Sequence, residues 1–529
     1  MTIVSYASYG NSFFGGFRDL VSISIPSSVE FIGEGILHHR RDLVSITVSS
    51  SNSNYKDIDG VLFSKDGTVL ICYPAGKQDT TYTIPSGVTS IGDNVFSGCR
   101  NLTSITLPDG VTSIGEGAFS GCFSLTSLFI PDSVTSIGDR AFSGCGNLAN
   151  VYIPRRVAFI GDSAFYNCES LTEAIIPDSV THIGDSAFSG CTRLTSITIP
   201  SSVISIGDSA FVGCENLSDI NASASNNIYQ DINGVLFSKD GTVLVYYPTG
   251  KQDISYTIPS GVTSIGNYAF AKCKKLSSII FPSGLTHIGD GAFSGCHGLI
   301  AITIPDGVVS IGDSIFYNCR NLTSISLPSG ITRIGDNAFG SCYNLERIII
   351  PSGVNYIGNQ AFMFCNKLTA VTIPEGVISI GERVFWNCIR LADVRIPNGI
   401  TSIGKDTFSL CTGLSSITLP NSLTSISDGA FSLCTSLAEI NIPDGVTSIG
   451  YGAFSGCTNL TTLVIPDSVT SIGEIVFGSA GVIGDNFDPS GGFPFGAAGD
   501  CDPVVICSRN SYAYQYCVEH GIRYQLWPR

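Results

Sequence analysis

The sequence predicts an α/β repeat solenoid, β-dominated with short helical turns and built from stacked 23-residue coils. Three observations carry that expectation. Cysteine returns every 23 residues through two long runs, and apolar residues hold fixed places inside each 23-residue unit. Glycine fills 59 of 529 positions while charged residues make up only 13%, a balance suited to a chain that turns at short, regular intervals.

The cysteines stand at 99, 122, 145, 168, 191 and 214, then at 273, 296, 319, 342, 365, 388, 411, 434 and 457. Between the runs the step is 59, or 23 plus an insertion of 36. Arg40 lies 59 before Cys99, Phe17 lies 23 before Arg40, and Ala480 takes the next place after Cys457, giving 18 anchors. In the coil from 99 to 121, Leu102, Ile105 and Leu107 end in the alternation of a half-buried strand, which Pro108 stops. Asp109-Gly110 makes a turn. Val111 and Ile114 bracket a second extended piece, Gly115 breaks it, and Glu116 opens a helical turn carrying Ala118 and Phe119 inward. Most other coils place Asp in the Glu116 column (Asp139, Asp162, Asp185, Asp208), where it would cap that turn. One coil has no second face to bury against, so only stacking covers its apolar side chains.

The recurring pattern Leu-x-x-Ile-x-Ile-Pro-x-x-Val-x-x-Ile-Gly-x-x-Ala-Phe-x-x-Cys, over about residues 11–480, resembles the BspA-like, Treponema pallidum-type class of leucine-rich repeats. The resemblance implies a right-handed, curved horseshoe with a parallel sheet on its concave side. It also implies a family of bacterial surface proteins and some parasitic protists, often linked to adhesion, and hence a cell-surface or extracellular place. The first residues, Met-Thr-Ile-Val-Ser-Tyr, show no secretory signal, which leaves the cytoplasm open.

Residues 55–74 recur almost unchanged at 229–248, and each copy reads as a hairpin about a Lys-Asp-Gly turn (Lys65-Asp66-Gly67 and Lys239-Asp240-Gly241). The expected organisation is therefore degenerate repeats over 1–48, a hairpin insertion over 49–83, and leucine-rich repeats over 84–220. A second insertion follows over 221–257, more repeats over 258–480, and a loop with a C-terminal cap over 481–529. The cap reads as strand, short helix, strand, and it would cover the apolar end of the stack.

Fifteen of the 19 cysteines share one column, a packing position rather than a clustered ligand set, and read as buried free thiols. Cys501, Cys507 and Cys517 lie in the cap, where one disulfide stays open. The six histidines have no metal-pair spacing beyond the adjacent His38 and His39. The sequence has no H-E-x-x-H, no G-x-S-x-G and no phosphate-binding lysine loop. It predicts no enzyme, cofactor or metal. A net charge of −16 disfavours nucleic acid and anionic membrane, and Ser, Thr, Asp or Gly interrupts every apolar run before it could span a bilayer.

Function is then expected on the exposed columns. Most coils put Ser or Thr at the Ser104 and Thr106 positions. Three adjacent coils break that rule with Phe129, Tyr152 and Ile175 in one column and Asn150 and Glu173 beside them, and the following loops add Arg155, Arg156, Phe159 and His182. At a strand spacing near 4.8 Å these would form one patch. A second deviation gathers Glu346, Arg347, Ile349 and Tyr356, followed two coils on by Asp393 and Arg395. The leading expectation is a non-enzymatic module binding a protein ligand, such as a host or extracellular-matrix protein, through its concave sheet. The alternative is a subunit of a filament or surface assembly, joined to its own copies through solenoid ends or hairpins.

Overall fold

The computed structural model describes residues 20–33, 37–38, 40–477 and 501–527. Phe17, His39, Ala480 and nearly all of the expected loop before the cap lie outside the described residues. The chain divides into two compact units, Met1–Gln252 and Asp253–Arg529. Each is a run of stacked coils, and the solenoid expectation holds in both.

In the first unit the coils between the two insertions have three working sides. The first is a parallel sheet in which Thr81–Thr83, Ser104–Thr106, Ser127–Leu128, Asn150–Tyr152 and Glu173–Ile175 lie side by side. Ile105, Leu128, Val151 and Ala174 point inward and are buried, while their strand neighbours face solvent. The strands are this short because the proline column ends them. The Val111 N–H closes the turn by donating to the Pro108 carbonyl at 3.1 Å, and the chain swings into the next side.

The second side is also a parallel sheet, through Ser90–Ile91, Ser113–Ile114, Ser136–Ile137, Phe159–Ile160, His182–Ile183 and Ser205–Ile206. The insertion feeds it. Tyr55–Ile58, Val61–Ser64 and Val69–Cys72 form a three-stranded antiparallel meander, one strand more than the expected hairpin, and Val69–Cys72 pairs in parallel with Ser90–Ile91. Asn52 anchors this insertion. Its buried amide donates to the carbonyls of Pro26 (2.8 Å) and Val29 (2.9 Å), while its Oδ1 accepts from the N–H groups of Asn54 and Tyr55, both at 2.9 Å. Asn226 repeats the arrangement on Pro200, Val203, Ile228 and Tyr229. At the turn, Asp66 accepts from Ser64 Oγ, Thr68 N and Thr68 Oγ1, which holds its carboxyl down at about 2 and explains the Lys-Asp-Gly motif as turn chemistry.

The third side corrects the sequence reading. Residues 116–121 form hydrogen-bonded turns rather than α-helix. Gly117, Phe119 and Gly121 donate to Asp139, Ala141 and Ser143 of the next coil at 2.8, 2.8 and 2.7 Å. Ala118, Ser120 and Cys122 donate instead to the residue three back, at 3.4, 2.8 and 3.2 Å. Alternate N–H groups thus serve the neighbouring coil and the local turn, so every rung is satisfied without a helix. The aspartate column is corrected with it. Asp139, Asp162 and Asp185 do not cap their own coil; each Oδ1 accepts the N–H of the equivalent residue one coil on, at 2.8 Å. With no helix there is no free N-terminus to cap, and the orphan donor is the one 23 residues ahead.

The core follows from these ladders. Phe96, Phe119, Phe142 and Phe165 stack with ring centroids 5.2–5.3 Å apart and planes within 6° of parallel. Beside them runs the cysteine column. In the second unit the rings from Phe270 to Phe477 stack in the same way at 5.3–6.4 Å. None of the 19 cysteines is in a disulfide and all are buried, including Cys501, Cys507 and Cys517.

The second unit ends on Val504–Cys507, the α-helix Tyr512–His520 and Tyr524–Leu526, whose strands continue the sheet from Thr462–Val464. Ser511 caps the helix by accepting from Tyr514 N at 3.1 Å, Gly521 closes it at φ 68°, and Tyr516 donates its hydroxyl to the Gly473 carbonyl at 2.9 Å. No helix among the described residues is long and apolar enough to cross a membrane.

Candidate protein-binding surface

The outward columns of the first sheet are mostly a hydroxyl lawn. Just before its strands Thr103 and Thr126, and before a second-sheet strand Thr112, donate their Oγ1 to carbonyls 23 residues back at 3.0–3.2 Å and brace the stack. Against that lawn the exceptions stand out.

Phe129, Tyr152 and Ile175 are brought together as the sequence spacing requires. Tyr152 pairs in register with Ile175, and Asn150 with Glu173. The Phe129 and Tyr152 rings stack at 6.1 Å between centroids and 3° from parallel. Phe129 remains 66% exposed and Ile175 61%, while Tyr152, flanked by both, is half-buried. Tyr152 also donates its hydroxyl to Asp132 Oδ1 at 3.1 Å, which restrains the ring. The three form a continuous apolar strip three coils wide, prepaid in rotamer entropy by stacking and by that hydrogen bond.

Phe159 and His182 stand in the second sheet rather than in loops. They pair in register, and their rings stack at 4.9 Å and 27°. His182 is held by Thr181, whose Oγ1 lies 2.8 Å from Nδ1. Phe159 is 56% exposed. Arg155 and Arg156 occupy the exposed turn joining the two sheets in the Tyr152 coil, and neither forms an ion pair among the described residues. The turn thus places two guanidinium groups along the chain between an aromatic pair on each sheet.

The second deviation does not join this strip. Arg347 and Ile349 belong to the other unit, where Arg347 bridges to Ser324 and Ile349 is 83% exposed. Tyr356 is engaged locally: the Arg333 guanidinium sits over its ring at 5.0 Å and meets Asp313 at 3.2 Å. The sequence reading also missed a group in the same unit. Tyr343, Phe364 and Trp386 touch in series, at 6.2 Å and 4.8 Å between ring centroids. A signal was available: Trp386 lies 23 residues after Met363, and the whole chain holds two methionines and two tryptophans. No group of three or more His, Cys, Asp or Glu among the described residues could hold a metal ion.

The profile of the BspA-type leucine-rich-repeat region, itself six copies long, matches residues 3–67, 75–192, 158–240, 249–369 and 355–482. No curated protein sequence matches. A leucine-rich-repeat protein from Eubacterium ventriosum is 28% identical over 72% of this chain and 92% of its own, with a TM-score of 0.48. A leucine-rich cell surface protein from Faecalibacterium prausnitzii is 29% identical over 69% of this chain and 94% of its own, with a TM-score of 0.45. A leucine-rich-repeat protein from Bacteroides ovatus is 28% identical over 79% of this chain and 97% of its own, with a TM-score of 0.37. The family profile covers most of the chain, coil after coil, and this protein belongs to the BspA-type leucine-rich-repeat family.

Proposed function

We propose that the chain is a recognition protein of a cell surface or the extracellular space, an adhesin that binds a protein ligand through the strip of Phe129, Tyr152 and Ile175. The observation that carries this is the stacked, outward-facing Phe129–Tyr152 pair in a sheet whose preceding strands, Thr81–Thr83 and Ser104–Thr106, present only Ser and Thr. An exposed aromatic strip beside a cationic turn has the residue types that dominate the centres of protein contacts. Arg155 and Arg156 supply charge at its border, where it governs the rate and orientation of encounter. The family's link with adhesion supports an extracellular-matrix protein as the ligand.

The test uses immobilised fibronectin, fibrinogen and laminin, with the full chain in solution. At least one should bind, and Phe129→Ser combined with Tyr152→Ser should weaken that binding about tenfold or more, as for loss of two central anchors. The Ser416→Ala/Thr418→Ala variant in the other unit should leave it unchanged. Binding that survives the double aromatic substitution, or no binding to any of the three, would count against the proposal.

A further inference from the structure

The second unit carries another exposed cluster, on the turns that follow the phenylalanine ladder rather than on either sheet. Tyr317, Met363 and Trp386 share the column that Ser97, Ser120, Ala271 and Ser294 fill elsewhere. With the Gly340 coil between the first two, their coils stack in order: Asn318 N–H donates to the Gly340 carbonyl and Ser341 N–H to that of Met363, both at 2.7 Å, and Phe364 N–H to that of Trp386 at 2.9 Å. Tyr317 lies over Gly340, where an added Cβ would come within 3.1 Å of its ring. Phe364 meets Trp386 edge-on at 4.8 Å, and the Arg320 guanidinium covers Tyr343 at 5.7 Å. Tyr317 and Ile389 are exposed, and Tyr343, Met363, Phe364 and Trp386 are half-buried.

Phe364 sits at φ +61°, a left-handed conformation that its column imposes on every kind of residue, from Gly98, Gly121 and Gly295 to Lys272, Leu410 and Leu433. The core does not require its ring, since Phe362 already supplies that coil's rung of the ring stack.

Charge is also concentrated here. Lys367 and Arg390 occupy one column in adjacent coils, with Arg320 two coils before Lys367's. None of the three forms an ion pair among the described residues, in a chain whose net charge is −16. Exposed cations without a carboxylate partner beside a half-buried group of Tyr, Met, Phe and Trp suit a ligand that brings both carboxylates and an apolar side chain. A sulfated polysaccharide would use the cations but would bring no apolar side chain to the Tyr343–Phe364–Trp386 group.

We propose that this cluster docks an acidic segment of a partner protein. Its carboxylates meet Arg320, Lys367 and Arg390, and one of its apolar side chains packs against Tyr343, Phe364 and Trp386. The site is separate from the Phe129–Tyr152 strip and does not rest on that reading.

The test uses the full chain carrying Trp527→Phe, which leaves Trp386 as the only tryptophan. A random copolymer of glutamate and tyrosine serves as the probe, with polyglutamate and heparin as comparisons. The copolymer should shift Trp386 emission and bind more tightly than polyglutamate, with affinity falling steeply as salt is raised. Lys367→Ala/Arg390→Ala should weaken it about tenfold. Phe364→Gly should keep the fold, judged by circular dichroism and thermal midpoint, and still weaken binding several-fold; Phe129→Ser/Tyr152→Ser should not matter. The proposal is overturned if the copolymer leaves Trp386 unperturbed, if the cation variant binds as well as the parent, or if heparin binds and the copolymer does not.

Discussion

The thiol of Cys122 donates to the carbonyl oxygen of Phe96 at 3.1 Å, across one coil boundary and 26 residues of sequence. The relationship repeats at 3.0–3.3 Å from Cys145 on Phe119 through Cys214 on Phe188, and again from Cys296 on Phe270 through Cys457 on Phe431. It explains why the column holds cysteine rather than alanine. The side chain is small enough for the coil spacing, apolar enough for the core, and supplies a weak donor to the second lone pair of a carbonyl that already accepts its own turn's N–H.

Reactivity follows directly. Burial pushes the Cys319 and Cys388 thiols up to about 12, so the thiolate that attacks disulfide reagents is scarce. With Ellman's reagent at mildly alkaline pH, fewer than about two thiols should react in the native chain. All 19 should react after denaturation. Rapid reaction of a whole column in the native state would contradict the packing described.

The glycine before the aspartate column should be far less replaceable than its counterpart in the first turn. At Gly184 an added Cβ would lie 2.7 Å from both Asp162 N and the carbonyl carbon of Gly161, whereas at Gly87 it meets nothing within 4 Å. Gly184→Ala should therefore destabilise its neighbourhood by about 1–3 kcal/mol through overpacking. Gly87→Ala should stay within about 0.5 kcal/mol of the parent. Hydrogen exchange at residues 160–184 is the suitable measurement, because repeat arrays do not unfold as a single two-state unit.

The aspartate ladder makes a chemical distinction. Asp162 Oδ1 accepts from Asp185 N, and Asn267 and Asn359 do the same for Asp290 and Glu382 with an amide oxygen. Asp162→Asn should be nearly neutral. Asp162→Ala should cost about 0.5–1.5 kcal/mol, the range for losing a capping acceptor at an exposed site. Equal losses for the two variants would show that charge, not the acceptor, was the contribution.

These ladders mark the limit of what the sequence makes legible. A period of 23 identifies which residues stack, so Phe129, Tyr152 and Ile175 could be placed in one column and the cysteines in another before any coordinates. Periodicity does not say which coil a side chain serves. The same Asp column is compatible with capping its own turn or the next coil's donor, and only the absence of a helix at 116–121 decides it. Phe159 and His182 were misplaced in loops because a two-residue strand such as Phe159–Ile160 is too short to announce itself. Asn52 and Asn226 were overlooked because a buried asparagine clamp looks, in sequence, like one more polar loop residue.

His297 gives a pH dependence. Burial, then the nearby Arg320 and Lys274, push its imidazole below the ordinary 6.5. The folded chain thus prefers neutral His297 more strongly than the unfolded chain does. Its contribution is complete above 6.5 and is lost as pH falls below that value toward the depressed folded one. Between pH 6.5 and about 5, above the range where carboxylates dominate, the thermal midpoint should fall with pH. His297→Gln should flatten that slope, and an unchanged slope would remove His297 as its source.

Hydroxyl-radical footprinting of the chain, free and bound to whichever matrix protein it recognises, reads the proposed contact along the aromatic strip of the first unit. Oxidation of Phe129, Tyr152 and Phe159 should fall several-fold in the complex, while exposed Tyr451 in the other unit stays as reactive as in the free chain. Unchanged labelling of Phe129 and Tyr152 in a saturated complex, with protection appearing elsewhere, would contradict the proposed contact.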